Sequence, residues 1–202
     1  MRIVAGRHRG RSIAAPEDES VRPTSDRVRE NLFNILAHGK FMGADGVSPL
    51  ADAQVLDAFA GSGALGLEAV SRGAAHVVFL DQDLSALECI RRNVVSLRED
   101  TRSTLVQADA LKPPPPGKVR GNPAPRDLVF LDPPYRTGAA APALAALASA
   151  GWFAEDAIVV VELDGREPFE TPDGFIGEDE RSYGGTKVIF LRRAAKKADA
   201  SP

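Results

Sequence analysis

An α/β fold is predicted: a mostly parallel sheet covered by helices, with an antiparallel strand at its C-terminal edge, preceded by a small hairpin and a helix. Three observations predict it. From Gln54 onward, short apolar stretches of strand length alternate with stretches of helical periodicity, the pattern of a parallel sheet. A glycine-rich turn joins the first of these strands to the first helix. The chain has 202 residues, 44% hydrophobic and 26% charged, the composition of one globular domain with a sizeable core.

The elements follow in order. RIVAG, RHRG and RSIAAP read as two short strands around a glycine-bearing turn. Pro23 with Thr24 or Ser25 offers a helix start, Asp26 suits the first turn, and Val28, Leu32, Ile35 and Leu36 recur at helical spacing, so a helix is expected near 25–38. QVLDAFA is the first strand of the main sheet, and Gly63 to Arg72, ending at Gly73, the first covering helix. HVVFLD is the second strand, and Leu84, Leu87, Ile90, Val94 and Leu97 mark a second helix. STLVQAD is the third strand; a proline-rich segment, 112–126, reads as a surface insertion before the strand DLVFLD. An alanine-rich helix is expected after Pro142, AIVVVEL is the fifth strand, and GFIGEDERSYGGTKVIFLRR is two strands joined near Gly184 and Gly185, a hairpin closing one sheet edge. The organisation expected is an N-terminal extension (1–46), a main domain (47–193) and a flexible tail (194–202).

Several function classes are excluded. No apolar run approaches the length of about 18 residues that spans a bilayer, and the N-terminus has arginines but no apolar segment of a secretory signal, so a cytoplasmic protein without membrane contact is expected. The single cysteine, Cys89, has no internal partner and falls in a helix, where a buried structural thiol is expected. His8, His38 and His76 show no metal-ligand spacing, so no metal site is expected. With a formal charge of -3, bulk attraction to polyanions is not expected, yet Arg2, Arg7, Arg9 and Arg11 stand with no acid in the first eleven residues, and Arg22, Arg27 and Arg29 follow. Contact with nucleic acid must therefore be local.

Two constellations carry chemistry. Asp57-Ala-Phe-Ala-Gly61-Ser-Gly63-Ala-Leu-Gly66 is a strand-to-helix glycine turn suited to a nucleotide-type cofactor: Gly61 and Gly63 allow a tight bend, Gly66 allows close helix packing, and Asp81 ends the next strand about 20 residues on, where it can hold a ribose. Charge selects among cofactors. Asp57 before the turn repels a pyrophosphate but attracts the sulfonium and ammonium of S-adenosylmethionine, as does Asp81, and Asp109 at the third strand end can accept from an adenine amino group. Asp132-Pro133-Pro134-Tyr135 follows the apolar strand Leu128 to Leu131 at the same sheet edge. An exocyclic base nitrogen is a weak nucleophile toward a sulfonium methyl; Asp132 and the carbonyl after it can accept its hydrogens, the prolines stiffen that carbonyl, and Tyr135 supplies a stacking face for a flipped base.

DAFAGSGALG, FLDQD, QADA and FLDPPY resemble the motifs of Rossmann-like class I amino-methyltransferases. With MRIVAGRHRGRSIAAP, VRPTSDRVRENLFNIL and SYGGTKVIFL, nearly the whole chain is similar to the bacterial 16S ribosomal RNA guanine-N2 methyltransferase family, the RsmD type. The resemblance implies S-adenosylmethionine as cofactor, lined by Asp57, Phe59, Gly61, Ser62, Gly63, Asp81, Gln82, Asp109 and Ala110, and Asp132, Pro133, Pro134 and Tyr135 as the catalytic group toward a guanine. It implies an RNA-facing wall in which Arg7, Arg9, Arg11, Arg22, Thr24, Arg27, Arg29 and Tyr183 contribute, and as partner the 16S ribosomal RNA in a small-subunit particle, met by a monomer. The ribose acid is often glutamate in this family and here is the shorter Asp81, and segment 112–126 is longer than the usual link. DNA adenine-N6 methylation and a noncatalytic cofactor- or ribosome-binding module are the competing readings. No separate DNA-reading domain is visible, and Asp132 and Tyr135 are intact.

Overall fold

The computed structural model describes residues 1–16, 26–121 and 123–195. Along the chain come α1 (Asp26–Ala37), β1 (Gln54–Ala58), α2 (Ala64–Ser71), β2 (His76–Asp81), α3 (Leu84–Leu97), β3 (Ser103–Gln107), β4 (Arg126–Leu131), α4 (Ala140–Ala150), β5 (Phe153–Asp164), β6 (Phe175–Tyr183) and β7 (Thr186–Arg193). The strands form one seven-stranded sheet in the order β3-β2-β1-β4-β5-β7-β6. The first five are parallel to their neighbours, whereas β7 runs antiparallel to β5 and to β6. The C-terminal hairpin thus closes the edge with its first strand outermost and its last strand inside. The chain winds outward from β1 through β2 to β3, then returns to the far side of β1 with β4, which makes the C-terminal ends of β1 and β4 the topological switch point where ligands of open sheets collect.

The central strands are apolar on both faces because both are covered. On one face Val55, Val77, Phe79, Leu128 and Phe130 pack with α1, α2 and α3; on the other Leu56, Val78, Leu80, Val129 and Leu131 pack with α4. Gly66 sits where a β-carbon would lie 2.4 Å from the Phe79 ring, so only glycine lets α2 approach β2 this closely. Helix α4 begins at Ala140, ahead of the expected start: Pro142 falls in its first turn, where the amide it lacks has no partner to lose. Trp152, fully buried, donates its indole hydrogen to the Pro114 carbonyl (2.8 Å), and Pro116 and Val119 are also buried. The proline-rich segment is therefore pinned to the core beneath it.

The N-terminal hairpin shrinks to one antiparallel bridge, Arg2 with Ser12. Its ladder stops there: the Arg11 amide turns back to the His8 carbonyl (3.0 Å), and Val4 and Ala5 donate their amides to the Glu68 carboxylate (2.7 and 2.9 Å). Glu68 is fully buried in α2, and it also pairs with Arg72 (2.7 Å) and lies 3.9 Å from Arg29. Ile3 and Ile13 complete the docking by entering the same core as Leu32 and Leu36 of α1. Among the described residues no helix is long and apolar enough to cross a membrane.

Removing a buried ion-pair partner typically costs about 3–5 kcal/mol, because the remaining charges stay desolvated. Glu68→Ala is accordingly expected to lower stability by about that amount in urea unfolding, and to expose the N-terminal segment to limited proteolysis. Wild-type stability in that variant would show that Glu68 does not anchor the segment.

Candidate functional site

The ends of β1, β2, β3 and β4 each run into a loop that carries an acid or a sharp bend. After β1 the chain must reverse into α2 within five residues, and Phe59, Gly61 and Gly63 all take left-handed backbone angles (φ 58°, 54° and 76°). For Phe59 that conformation is strained, of a kind that persists where surrounding contacts over-determine it. Those contacts are visible: the Gly61 amide donates to Asp81 Oδ2 (2.9 Å), the Ala60 amide to the Leu80 carbonyl (3.3 Å), and Asn93 Nδ2 of α3 to the Ser62 carbonyl (3.0 Å). Asn93 also binds the Ala14 backbone through both amide atoms (2.8 and 3.0 Å), tying the glycine loop to the N-terminal segment.

The expectation of an acidic lip at Asp57 is corrected. Its carboxyl is buried beneath the loop, where Oδ2 accepts from the Gly66 amide (2.8 Å). Burial pushes its pKa up to about 8, against the lowering effect of that hydrogen bond and assisted by the nearby Asp81 charge. Asp57 is therefore a largely neutral pin on the first turn of α2 at pH 7, not a charge offered to a ligand. Sequence alone does not distinguish a strand-end aspartate facing solvent from one folded under the following helix.

The open carboxylates are Asp81 and Asp109. Asp81, half-buried, also accepts from the Asp83 amide (2.9 Å), and Asp109 accepts from Leu111 (2.8 Å). Among the described residues neither forms an ion pair. Gln82 is exposed next to Asp81, while Ala110 is buried under the β3 end. Two carboxylates without a protein counter-ion beside a bent glycine loop suit a cationic, hydroxyl-bearing group, and a sulfonium nucleoside meets that description.

Across β1, Asp132 follows β4 in step with the loop: Ala58 is level with both Leu80 and Leu131, so Asp81 and Asp132 flank the start of the glycine turn. The Asp132 amide donates to the Ala58 carbonyl (3.4 Å). Pro133 is buried and Pro134 exposed. The Tyr135 hydroxyl lies 3.2 Å from Glu162 Oε1 on β5 and 3.2 Å from Thr186 Oγ1 on β7. Burial first, with the Glu162 and Asp132 charges adding to it against the Thr186 hydrogen bond, pushes its pKa up to about 12, so Tyr135 is a neutral, oriented ring. The next turn is held by Glu167, whose carboxylate accepts from the Arg136 and Gly138 amides (2.7 and 3.0 Å).

The basic residues divide. Arg29 is fully buried, bonded to Asp26 (2.8 Å) and the Arg2 carbonyl, which corrects the expectation that it faces RNA. Its position three, four and seven residues before Leu32, Phe33 and Leu36 puts it on the core face of α1. Arg7 donates to the Val70 carbonyl (2.8 Å) near the end of α2 and lies 3.6 Å from Glu99; Arg11 donates to the Ser96 carbonyl (2.7 Å) near the end of α3. Both brace the N-terminal segment on helix ends. Arg9 and Arg27 are exposed, Tyr183 is half-buried, and Arg22 and Thr24 lie outside the described residues. Asn93, Glu68, Glu162 and Glu167 escape sequence reasoning. The signal for two of them is a single acid inside an apolar buried run, ALGLEAVS and AIVVVEL.

The chain is similar over most of its length to several known proteins. The family model described as "Conserved hypothetical protein 95" matches residues 1–192. The Escherichia coli (strain K12) protein named Ribosomal RNA small subunit methyltransferase D is 37% identical, over 99% of this chain and 94% of its own length. The Haemophilus influenzae protein of the same name is 34% identical over 91% of this chain and 89% of its own. The solved structure of Escherichia coli yhhF superimposes with a TM-score of 0.78 at 33% identity, covering 97% of this chain and 99% of that one.

Asp57 yields a pH prediction. The folded chain keeps the Asp57 proton up to about pH 8, whereas an unfolded aspartate releases it near pH 4. The folded state thus binds more protons between these values, so the stability contributed is complete below about pH 4 and is lost as pH rises toward 8. Asp57→Asn keeps an acceptor for Gly66 and cannot ionise, so its urea midpoint should fall less than wild type between about pH 5 and 8. Equal slopes would contradict the buried, protonated state.

Proposed function

The chain belongs to the family described as Conserved hypothetical protein 95, the RsmD type of class I methyltransferases, and from that premise we propose that it transfers a methyl group from S-adenosylmethionine to the exocyclic N2 of a guanine in 16S ribosomal RNA. The single observation that carries the reading is the pairing, on either side of β1, of a carboxylate-lined glycine loop with the braced Asp132-Pro133-Pro134-Tyr135 turn. The substrate is the RNA of a small-subunit particle in the cytoplasm, and the enzyme acts as a monomer whose residues 1–46 form an RNA-facing extension on the main domain, 47–193.

Asp81 and Asp109 would hold the cofactor's ribose and adenine, with Phe59, Gly61, Ser62 and Gly63 against its remainder. When bound, the cofactor supplies a methyl on a cationic sulfur that leaves as neutral thioether. Everything else falls to the chain. Asp132 and the carbonyl of Pro133 accept the two amino hydrogens, which raises electron density on a nitrogen otherwise conjugated with its ring. The two prolines and the Glu167 clamp keep these acceptors fixed, so little reorganisation accompanies transfer. Tyr135, held by Glu162 and Thr186, gives the extruded base a face to stack on, an interaction of about 1–3 kcal/mol per base in comparable sites. The proton lost by nitrogen departs after transfer, with Asp132 as its nearest acceptor.

Asp132→Ala should bind S-adenosylmethionine by calorimetry as wild type does, yet lose methyl transfer by orders of magnitude. Turnover at the wild-type rate would remove Asp132 from the reaction. Mass mapping of 16S RNA, naked and in assembled subunits, is expected to show one new N2-methylguanine; a methylated adenine in DNA would favour the competing substrate, and no transfer to any nucleic acid would favour a noncatalytic module. Because Arg9 and Arg27 are exposed and, among the described residues, hold no ion pair, whereas the exposed Arg7 and Arg11 are bonded to helix ends, Arg9→Ala with Arg27→Ala should flatten the log–log salt dependence of RNA binding by about one to two units. An unchanged slope would remove them from the RNA contact.

A further inference from the structure

A cavity of about 510 Å³ opens between α1 and β6, on the sheet face that also carries Glu162 and Thr186. One wall is Asn31, Asn34 and His38 of the α1 stretch, and Arg27, four residues before Asn31, continues that stripe. The opposite wall is Asp179, Arg181 and Tyr183, alternate residues of β6 that pair across the strands with Phe190, Val188 and Thr186. Phe41, packed on Phe190 with ring centroids 5.3 Å apart, forms the floor.

The groove runs into the site already described. Tyr183 at its end is the cross-strand partner of Thr186, and Thr186 touches the Tyr135 hydroxyl at 3.2 Å. Its cations are oriented: Asp179 holds the Arg181 guanidinium through Nε (3.1 Å) and Nη2 (2.9 Å), and Lys40 is held by the Glu178 carbonyl over the Phe41 ring. Among the lining residues Lys40 and Arg181 stand against the single acid Asp179, which favours a phosphate-bearing occupant. Among the described residues the Asn31 and Asn34 side chains make no hydrogen bond, and each presents a donor and an acceptor, the pairing that matches a base edge.

We propose that this groove takes the nucleotide adjoining the methylated base, unstacked from its neighbours, with Asn31 and Asn34 reading its edge and Arg181 and Lys40 holding its phosphate. The proposal rests on the RNA methyltransferase reading and adds a specificity-determining site to it. Single-stranded RNA is commonly read this way, base by base on edges exposed by unstacking.

The test uses RNA oligonucleotides containing the mapped guanine, varied only at the adjoining base, with wild type, Asn31→Ala/Asn34→Ala, and the isosteric Asn31→Asp/Asn34→Asp. Thermal midpoints and S-adenosylmethionine affinity should match wild type, since both asparagines lie outside the core and the cofactor loop. Expected is a rise in KM for RNA of about tenfold or more with kcat retained, and loss of the preference among adjoining bases that wild type shows. Unchanged KM together with unchanged preference overturns the proposal. Should wild type methylate no RNA, the function reading itself fails, and fluorescence anisotropy with single-stranded RNA oligonucleotides of varied base composition still decides the groove: equal binding by wild type and both variants overturns it.

Discussion

Every loop that shapes the site is held by a carboxylate accepting hydrogen bonds from backbone amides. Irregular loops leave amides without partners, and a buried amide left unpaired costs about 1–3 kcal/mol. Asp57 meets this need for Gly66, Asp81 for Gly61 and Asp83, Asp109 for Leu111, and Glu167 for Arg136 and Gly138. The same device docks the N-terminal segment, where Glu68 receives Val4 and Ala5. Acids that hold loops also set the local field, so rigidity and attraction for a cation come from one set of residues. Asp57 is the exception that clarifies the rule: buried deeply enough, the carboxyl keeps its proton and contributes shape without charge.

The parallel half of the sheet was legible because its strands are continuous apolar runs and its helices recur at helical spacing. Both signals are local, so β1 through β4 fall within two residues of expectation at each end. The N-terminal hairpin was less legible, since two of its amides turn to Glu68, a partner 63 and 64 positions away. The start of α4 shows a smaller version of this: a proline reads as a boundary, yet in a first turn it removes nothing the helix uses. Trp152 reaching Pro114 likewise turns an apparent surface insertion into an anchored one.

Site residues divide by whether their meaning is local. The glycine turn and the Asp-Pro-Pro-Tyr turn declare themselves because bend and stiffness are written in consecutive residues. Glu162, Thr186, Glu167 and Asn93 do not, since each acts on a loop from another element. Arg29 shows the converse error. Charge suggested a surface, while its helical register with Leu32, Phe33 and Leu36 placed it in the core, and register prevailed because Asp26 and Glu68 neutralise it there. Arg7 and Arg11 follow the same logic at the surface, spending their hydrogen bonds on helix ends.

Two stiffened turns flank the end of β1, one held by Asp81 and one carrying Asp132 and Tyr135. The most direct test is a crystal structure of the protein with S-adenosylmethionine bound. The account predicts the ribose against Asp81, the adenine beside Asp109, and the methyl directed toward Asp132 and Tyr135. A cofactor lodged away from the glycine loop, or one whose methyl points away from Asp132, would contradict it.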